Sequence, residues 1–126
     1  MTENRFLLDS KVWLGHFLEK DPQTAEVIES HSNYLYCSVL SIHEIITVLD
    51  KRKYSDAEIL KALEFIRQNA TIVDVIETTA INAAFERKKN SLPTVDSLIY
   101  ATAIQEEAVL ITADHHFEGL PQALII

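Results

Sequence analysis

Apolar residues recur along this chain with two different periods, and the points where one gives way to the other divide it into short strands and longer helices. Residues 5–8 (RFLL) form a compact run without helical spacing, a short first strand that ends at Asp9. From Ser10 to about Lys20 the period changes. Trp13, Leu14, Phe17 and Leu18 fall on one helical face, with Ser10 as the candidate N-cap. Pro22 suits the opening of a second helix, which runs through Val27 and Ile28 to about His31. Residues 34–39 are rich in aromatic and β-branched side chains and predict a second strand. Residues 41–51 then predict a helix with Ile42, Ile45, Ile46 and Leu49 on one side. Ser55-Asp-Ala-Glu58 is a capping box, and the helix it opens should bury Ile59, Leu60, Leu63 and Ile66.

The second half repeats the alternation. Residues 71–75 predict a strand and residues 78–89 a helix, whose basic end, Arg87-Lys-Lys89, suits the negative pole of the helix dipole. Pro93 breaks the chain, and residues 95–107 read as a long, Ala-rich, well-buried helix. Residues 109–112 and 123–126 predict the last two strands. Strands alternating with helices point to an α/β domain of three layers, with a mostly parallel sheet of four to five strands covered on both faces. No repeat or linker interrupts residues 1–126, so a single domain is expected.

Composition narrows the picture. With 126 residues and 48% hydrophobic content, the chain can bury a core without staples. Its 2 glycines leave no phosphate-binding glycine loop, which removes P-loop and Rossmann nucleotide sites. The one cysteine, Cys37, lies in an apolar run and reads as a buried, inert thiol. The N-terminus carries no signal-peptide pattern and no apolar run is long enough for a bilayer, so a cytoplasmic location without membrane contact is expected. The formal charge of −8 opposes simple nucleic-acid binding, which relies on Lys and Arg. It opposes it less if several acids hold cations that reverse the local field.

Four acids occupy informative places: Asp9 directly after the first strand, Glu44 in the first turn of the helix after the second, Asp96 in the first turn after Pro93, and Asp114 after the strand at 109–112. In a parallel sheet, residues that follow strands gather at the carboxyl edge, where ligands bind. Crowded carboxylates repel one another, and a hard cation relieves that repulsion. Oxygen donors with few histidines select Mg²⁺ or Mn²⁺. Such ions activate water and stabilise a leaving oxygen, the chemistry of phosphodiester hydrolysis. Each acid also has a plainer role open to it. Ser41-Ile-His-Glu44 could be a capping box, Asp96 a partner of the helix dipole, and Asp9 and Asp114 turn or cap residues.

The chain resembles the PIN-domain ribonucleases, and most closely the VapC-type toxins of toxin–antitoxin pairs. The resemblance rests on four segments in order: Phe6-Leu-Leu-Asp9-Ser10, Ser38-Val-Leu-Ser-Ile-His-Glu44, Asp96-Ser-Leu-Ile-Tyr-Ala-Thr-Ala103 and Leu110-Ile-Thr112-Ala-Asp114-His-His-Phe117. It implies a PIN-like α/β/α fold and an endoribonuclease that leaves 5′-phosphate and 3′-hydroxyl ends. It implies that Asp9, Glu44, Asp96 and Asp114 are the catalytic acids and ligate one or two Mg²⁺ or Mn²⁺ ions. Ser10 would support Asp9 or a bound water, and Thr112 would orient the Asp114 region. RNA would be the substrate, an antitoxin the protein partner, and a homodimer the assembly. Two positions depart from the family pattern. Lys11 replaces a small or polar residue and is expected to face water. His116 stands where a further Asp is common, which bears on whether a second metal is held; it could be a metal ligand or a proton carrier, and reads first as an exposed loop histidine. The competing reading is a PIN-like interaction module with little catalysis; a weaker one is a metal-dependent phosphatase.

Other signals are mostly bland. His43-Glu44 begins like a zincin helix, but Thr47 stands where the second histidine is required. Lys51-Arg-Lys53 reads as a solvated helix end, and Arg87-Lys-Lys89 as either a helix end or one bank of an RNA path. Tyr34, Tyr36 and Tyr100 read as core or groove-wall residues rather than base-stacking platforms, and Trp13 as a core residue rather than a dimer or antitoxin contact.

Overall fold

The computed structural model describes residues 4–31 and 34–126. Among these residues lie five strands: β1 (Arg5–Leu8), β2 (Leu35–Ser38), β3 (Thr71–Val73), β4 (Ala108–Thr112) and β5 (Ala123–Ile125). They pair in the order β3-β2-β1-β4-β5, every pairing parallel. The connecting helices are α1 (Ser10–Glu19), α2 (Pro22–His31), α3 (Val39–Lys51), α4 (Asp56–Asn69), α5 (Glu77–Asn90) and α6 (Thr94–Gln105).

Strand periodicity sorts the core onto two faces of the sheet. Leu8 and Ile111 join Trp13, Ile28, Ile45, Leu49 and Ile66 in a cluster beneath α1 to α4. Their neighbours Leu7 and Leu110 face the other way, into a cluster with Ile99, Tyr100, Ala103 and Phe117. The result is the expected three-layer α/β/α arrangement. Cys37 is fully buried, and burial pushes its thiol up to about 12, so it stays a protonated, inert apolar side chain. Trp13 is likewise fully buried in the core.

The strand order explains where a site can form. From β1 the chain first builds outward through β2 to β3, then returns to the opposite edge of β1 as β4 and continues to β5. The reversal between β1 and β4 is a topological switch point, where helices leave to opposite sides and open a crevice at the carboxyl ends. Register fixes what lines it. Leu8 lies opposite Ile111, and the Asp9 N–H donates to the Ile111 carbonyl at 3.0 Å. Asp9 and Thr112 therefore emerge side by side.

Three local expectations are corrected. Asp9, not Ser10, caps α1: it is extended (φ −70, ψ 161), and its carboxylate accepts the Ser10 N–H. Likewise Ser38, not Ser41, caps α3, its hydroxyl accepting the Leu40 N–H at 3.1 Å. The second strand therefore ends at Ser38, and Glu44 is the sixth residue of α3, beyond its first turn. No Ser41–Glu44 capping box exists. Ser41 is instead inside the helix and buried, its hydroxyl without a hydrogen-bond partner among the described residues. Third, Leu60 is 63% exposed. The Ser55–Glu58 capping box does form, but α4 turns Ile59 and Ile66 to the core, which rotates Leu60 outward.

Candidate active site

The floor of the crevice is Asp9. It is 8% exposed, with one carboxylate oxygen accepting the Ser10 N–H at 2.7 Å and the other the Thr112 hydroxyl at 2.9 Å. Thr112, fully buried, also accepts the Asp114 N–H at 2.9 Å. One hydroxyl thus ties the end of β1 to the loop after β4. The Ser10 contact is made by its main-chain N–H. Burial pushes the Asp9 carboxyl above its usual range; the bonds from Thr112 and Ser10 oppose the rise, and the charges of Asp96 and Glu44 add to it.

The rim is formed by Asp96 and Asp114. Asp96 lies in the first turn of α6, where a helix N-terminus favours negative charge. Its carboxyl is nevertheless raised, first by burial, then by the charges of Asp114 and Glu44. Asp114 caps the short 3-10 turn His115–Phe117, accepting the His116 N–H at 2.9 Å. Burial pushes the Asp114 carboxyl up, but the His116 N–H, the imidazole and Lys11 outweigh it and hold the group below its usual value.

The four acids are thus brought to one edge, though not equally. Asp96, Asp114 and His116 each offer one donor atom, all within 4.8 Å of one another. Asp9 and Glu44 stand outside that tight group and act on it through their charges. Glu44 is exposed on α3. The donor set, carboxylate oxygens with one imidazole, suits a divalent cation.

The sequence favoured His116 as an exposed loop residue over a metal ligand or proton carrier. Its side chain is 58% exposed, yet Nδ1 lies 3.0 Å from an Asp114 oxygen and 3.1 Å from an Asp96 oxygen. His115 diverges instead toward Glu118, at 3.6 Å. The signal available in sequence was position alone, two residues after Asp114 at the place of a common family acid.

Two clefts are lined by residues next to the acids in sequence or by Glu44 itself. One, of about 450 Å³, is lined by Lys11, Gly15, Gln23, Arg52 and Ala113 among others. The other, of about 340 Å³, runs along α3 past Leu40, Glu44, Thr47, Lys51 and Val95. Lys51 and Arg52, which read as a solvated helix end, therefore line clefts, as does Lys11, which is also exposed to solvent.

The family model of the PIN domain matches residues 6–122. The chain belongs to the PIN-domain family. None of the curated proteins matches it significantly. Among solved structures, this PIN domain is similar to DNA-bound VapBC from Salmonella typhimurium (18% identity, 98% of each chain covered, TM-score 0.83). It is also similar to a toxin–antitoxin complex from Klebsiella pneumoniae (18% identity, 94% of each chain, TM-score 0.81). A third is Mycobacterium tuberculosis VapC20, described as a Sarcin-Ricin loop cleaving toxin (15% identity, 91% of each chain, TM-score 0.67). At these identities the likeness is one of fold. Among the described residues of the PIN domain, no helix is long and apolar enough to cross a membrane.

Proposed function

We propose that this PIN domain is a metal-dependent endoribonuclease, the toxin component of a toxin–antitoxin pair. The observation that carries the reading is the approach of Asp9, Glu44, Asp96 and Asp114 at the β1/β4 switch point, where burial and the charges of Asp96 and Glu44 raise Asp9, and burial and the charges of Asp114 and Glu44 raise Asp96. Such an arrangement is unfavourable by itself and is relieved by a divalent cation.

The rim carboxylates Asp96 and Asp114 would hold the ion, with Asp9 and Glu44 supplying further negative charge and outer donors. When bound, Mg²⁺ or Mn²⁺ supplies the Lewis acidity that makes water nucleophilic at neutral pH and neutralises charge on a phosphoryl group. The chain's own residues do the rest. Thr112 fixes the Asp9 carboxylate and the Asp114 main chain together, so floor and rim keep one spacing. Ser10 holds the other Asp9 oxygen, leaving Asp9 no freedom to swing away. Lys11 and Arg52 in one cleft, beside Glu19 and Asp21, and Lys51 in the other, beside Glu44, are the cations available to RNA phosphates there. With a net charge of −8 and acids lining both clefts, phosphate approach depends on a cation bound by the acids to reverse the local field.

The antitoxin partner is supported by the likeness to toxin–antitoxin complexes. A homodimer has a contact surface available on α5, where Ile81 and Phe85 are 50% and 68% exposed and share a helical face.

The test is cleavage of structured RNA by the wild-type chain and by Asp96→Asn. Cutting should stop in EDTA, return with Mn²⁺, and leave 5′-phosphate ends. Intact RNA at high wild-type concentration with Mn²⁺ present would favour a non-catalytic interaction module instead.

A further inference from the structure

Among the described residues, a nitrogen donor also faces the acids. We propose that Nδ1 of His116 is itself a ligand of the cation, making a mixed nitrogen–oxygen centre that prefers Mn²⁺ and neighbouring transition metals to Mg²⁺. This rests on the metal-binding reading and specifies the ion that the site selects.

Nδ1 stands 3.0 Å from Asp114 Oδ1 and 3.1 Å from Asp96 Oδ2. Octahedral ligation with bonds of about 2.1 Å places adjacent donors about 3.0 Å apart. Nδ1 therefore has the spacing of a neighbouring ligand to each carboxylate oxygen, and all three donor atoms lie within 4.8 Å of one another.

An imidazole Nδ1 carries at most one hydrogen. It faces two carboxylates at nearly equal distance, so one N–H cannot satisfy both with good alignment. A cation among the three atoms serves all of them, taking the Nδ1 lone pair while the ring proton resides on Nε2.

The imidazole is also held in place. The His116 N–H is anchored on Asp114 at 2.9 Å, and the next residue, Phe117, is fully buried. Phe117 packs near Tyr100 of α6, the helix that carries Asp96, with ring centroids 6.2 Å apart. The turn bearing the histidine and the helix bearing the acid therefore share one packed base. A histidine on a free loop would have no such reason to face Asp96.

The chemical consequence follows from donor softness. All-oxygen sites suit Mg²⁺, whereas imidazole raises affinity for Mn²⁺ and later first-row ions. An Asp at position 116 would offer oxygen and return the site toward Mg²⁺.

The test is pulsed electron paramagnetic resonance on the full chain, stripped of metal and loaded with Mn²⁺. Nitrogen-14 modulation from a directly bound ligand is expected in the wild-type spectrum and should vanish in His116→Asp while Mn²⁺ remains bound. The ratio of Mn²⁺ to Mg²⁺ affinity should fall about tenfold in that variant. The side chain is 58% exposed, so the substitution leaves the core untouched, and the wild-type spectrum needs no variant to be read. Bound Mn²⁺ without nitrogen modulation, or modulation that persists in His116→Asp, overturns the ligand assignment and leaves the acidic metal site standing. Failure of the wild-type chain to bind Mn²⁺ at all overturns both.

Discussion

The floor and the rim of the acidic crevice are built from the same residue type and held in opposite ways. Asp9 is buried and accepts one hydrogen bond on each carboxylate oxygen, from Ser10 and from Thr112. Asp96 and Asp114 are partly exposed, and across the gap between them they share a single imidazole nitrogen. The floor is secured by strand register and is part of the fold. The rim is secured by charge and stays adaptable to a ligand. A substitution in the floor should therefore disturb folding and function together, whereas one in the rim should remove function and spare the fold.

The largest expected effect is at the rim. Asp96→Asn should lower RNA cleavage by on the order of a thousandfold, with an unchanged circular dichroism spectrum. Unfolding of that variant would erase the distinction between rim and floor. Next comes the floor. Thr112→Val removes the donor to Asp9 and the acceptor for the Asp114 N–H in a fully buried position. It should cost about 1–3 kcal/mol in a denaturant titration and cut activity about 10–100-fold. A stable Thr112→Val protein would show that the floor is not tied as described.

A smaller effect separates the two serines at the start of α3, the helix that presents Glu44 to the crevice. Ser38→Ala should cost about 1 kcal/mol by loss of the cap. Ser41→Ala should be neutral or slightly stabilising, because its buried hydroxyl has no partner among the described residues. Equal losses at the two positions would contradict the capping assignment.

The smallest is a slope. Asp9 and Asp96 are both raised in the fold, so each binds its proton more tightly there than in the unfolded chain. Their contribution favours the fold below the ordinary carboxylate value and is lost as pH rises through the raised values. Asp114 is depressed and works in the opposite sense: it contributes above the ordinary value, and that contribution is lost as pH falls. Comparing Asp96→Asn with wild type isolates the rim. The metal-free variant should gain in relative melting temperature from about pH 4 toward neutrality. Saturating Mn²⁺ should abolish that gain by stabilising only the wild type.

Much of this architecture was legible in the sequence because strand ends and acids coincide. A run such as RFLL followed by Asp, or LIT followed by Ala-Asp, specifies both a strand and what stands at its carboxyl edge. The parallel order followed from the alternation of elements, and the Ser55–Glu58 box marked a helix start that the structure shows. What failed was local and had physical causes. Ser38 and Ser41 are both plausible caps, and only the extended backbone at Ser38 decides between them. Leu60 fits a helical stripe, but the stripe that packs is set by where α4 meets the sheet, a tertiary choice. His116 is exposed as expected, but its approach to Asp96 was not legible for the same reason. Facing Asp96 requires α6 and the loop after β4 to share a packed base, and nothing in the local pattern reports that. The clefts around Lys11, Lys51 and Arg52 were also out of reach, since a basic helix end reads alike whether it borders a groove or open water.

Calorimetric titration of Mn²⁺ into the metal-stripped chain, wild type beside Asp96→Asn, probes the crevice itself without needing the natural RNA. Saturable binding in the wild type, weakened about a hundredfold or more in the folded variant, is the expected result. A wild-type chain that takes up no Mn²⁺, or a variant that binds it just as tightly, would mean that these acids meet for some other reason.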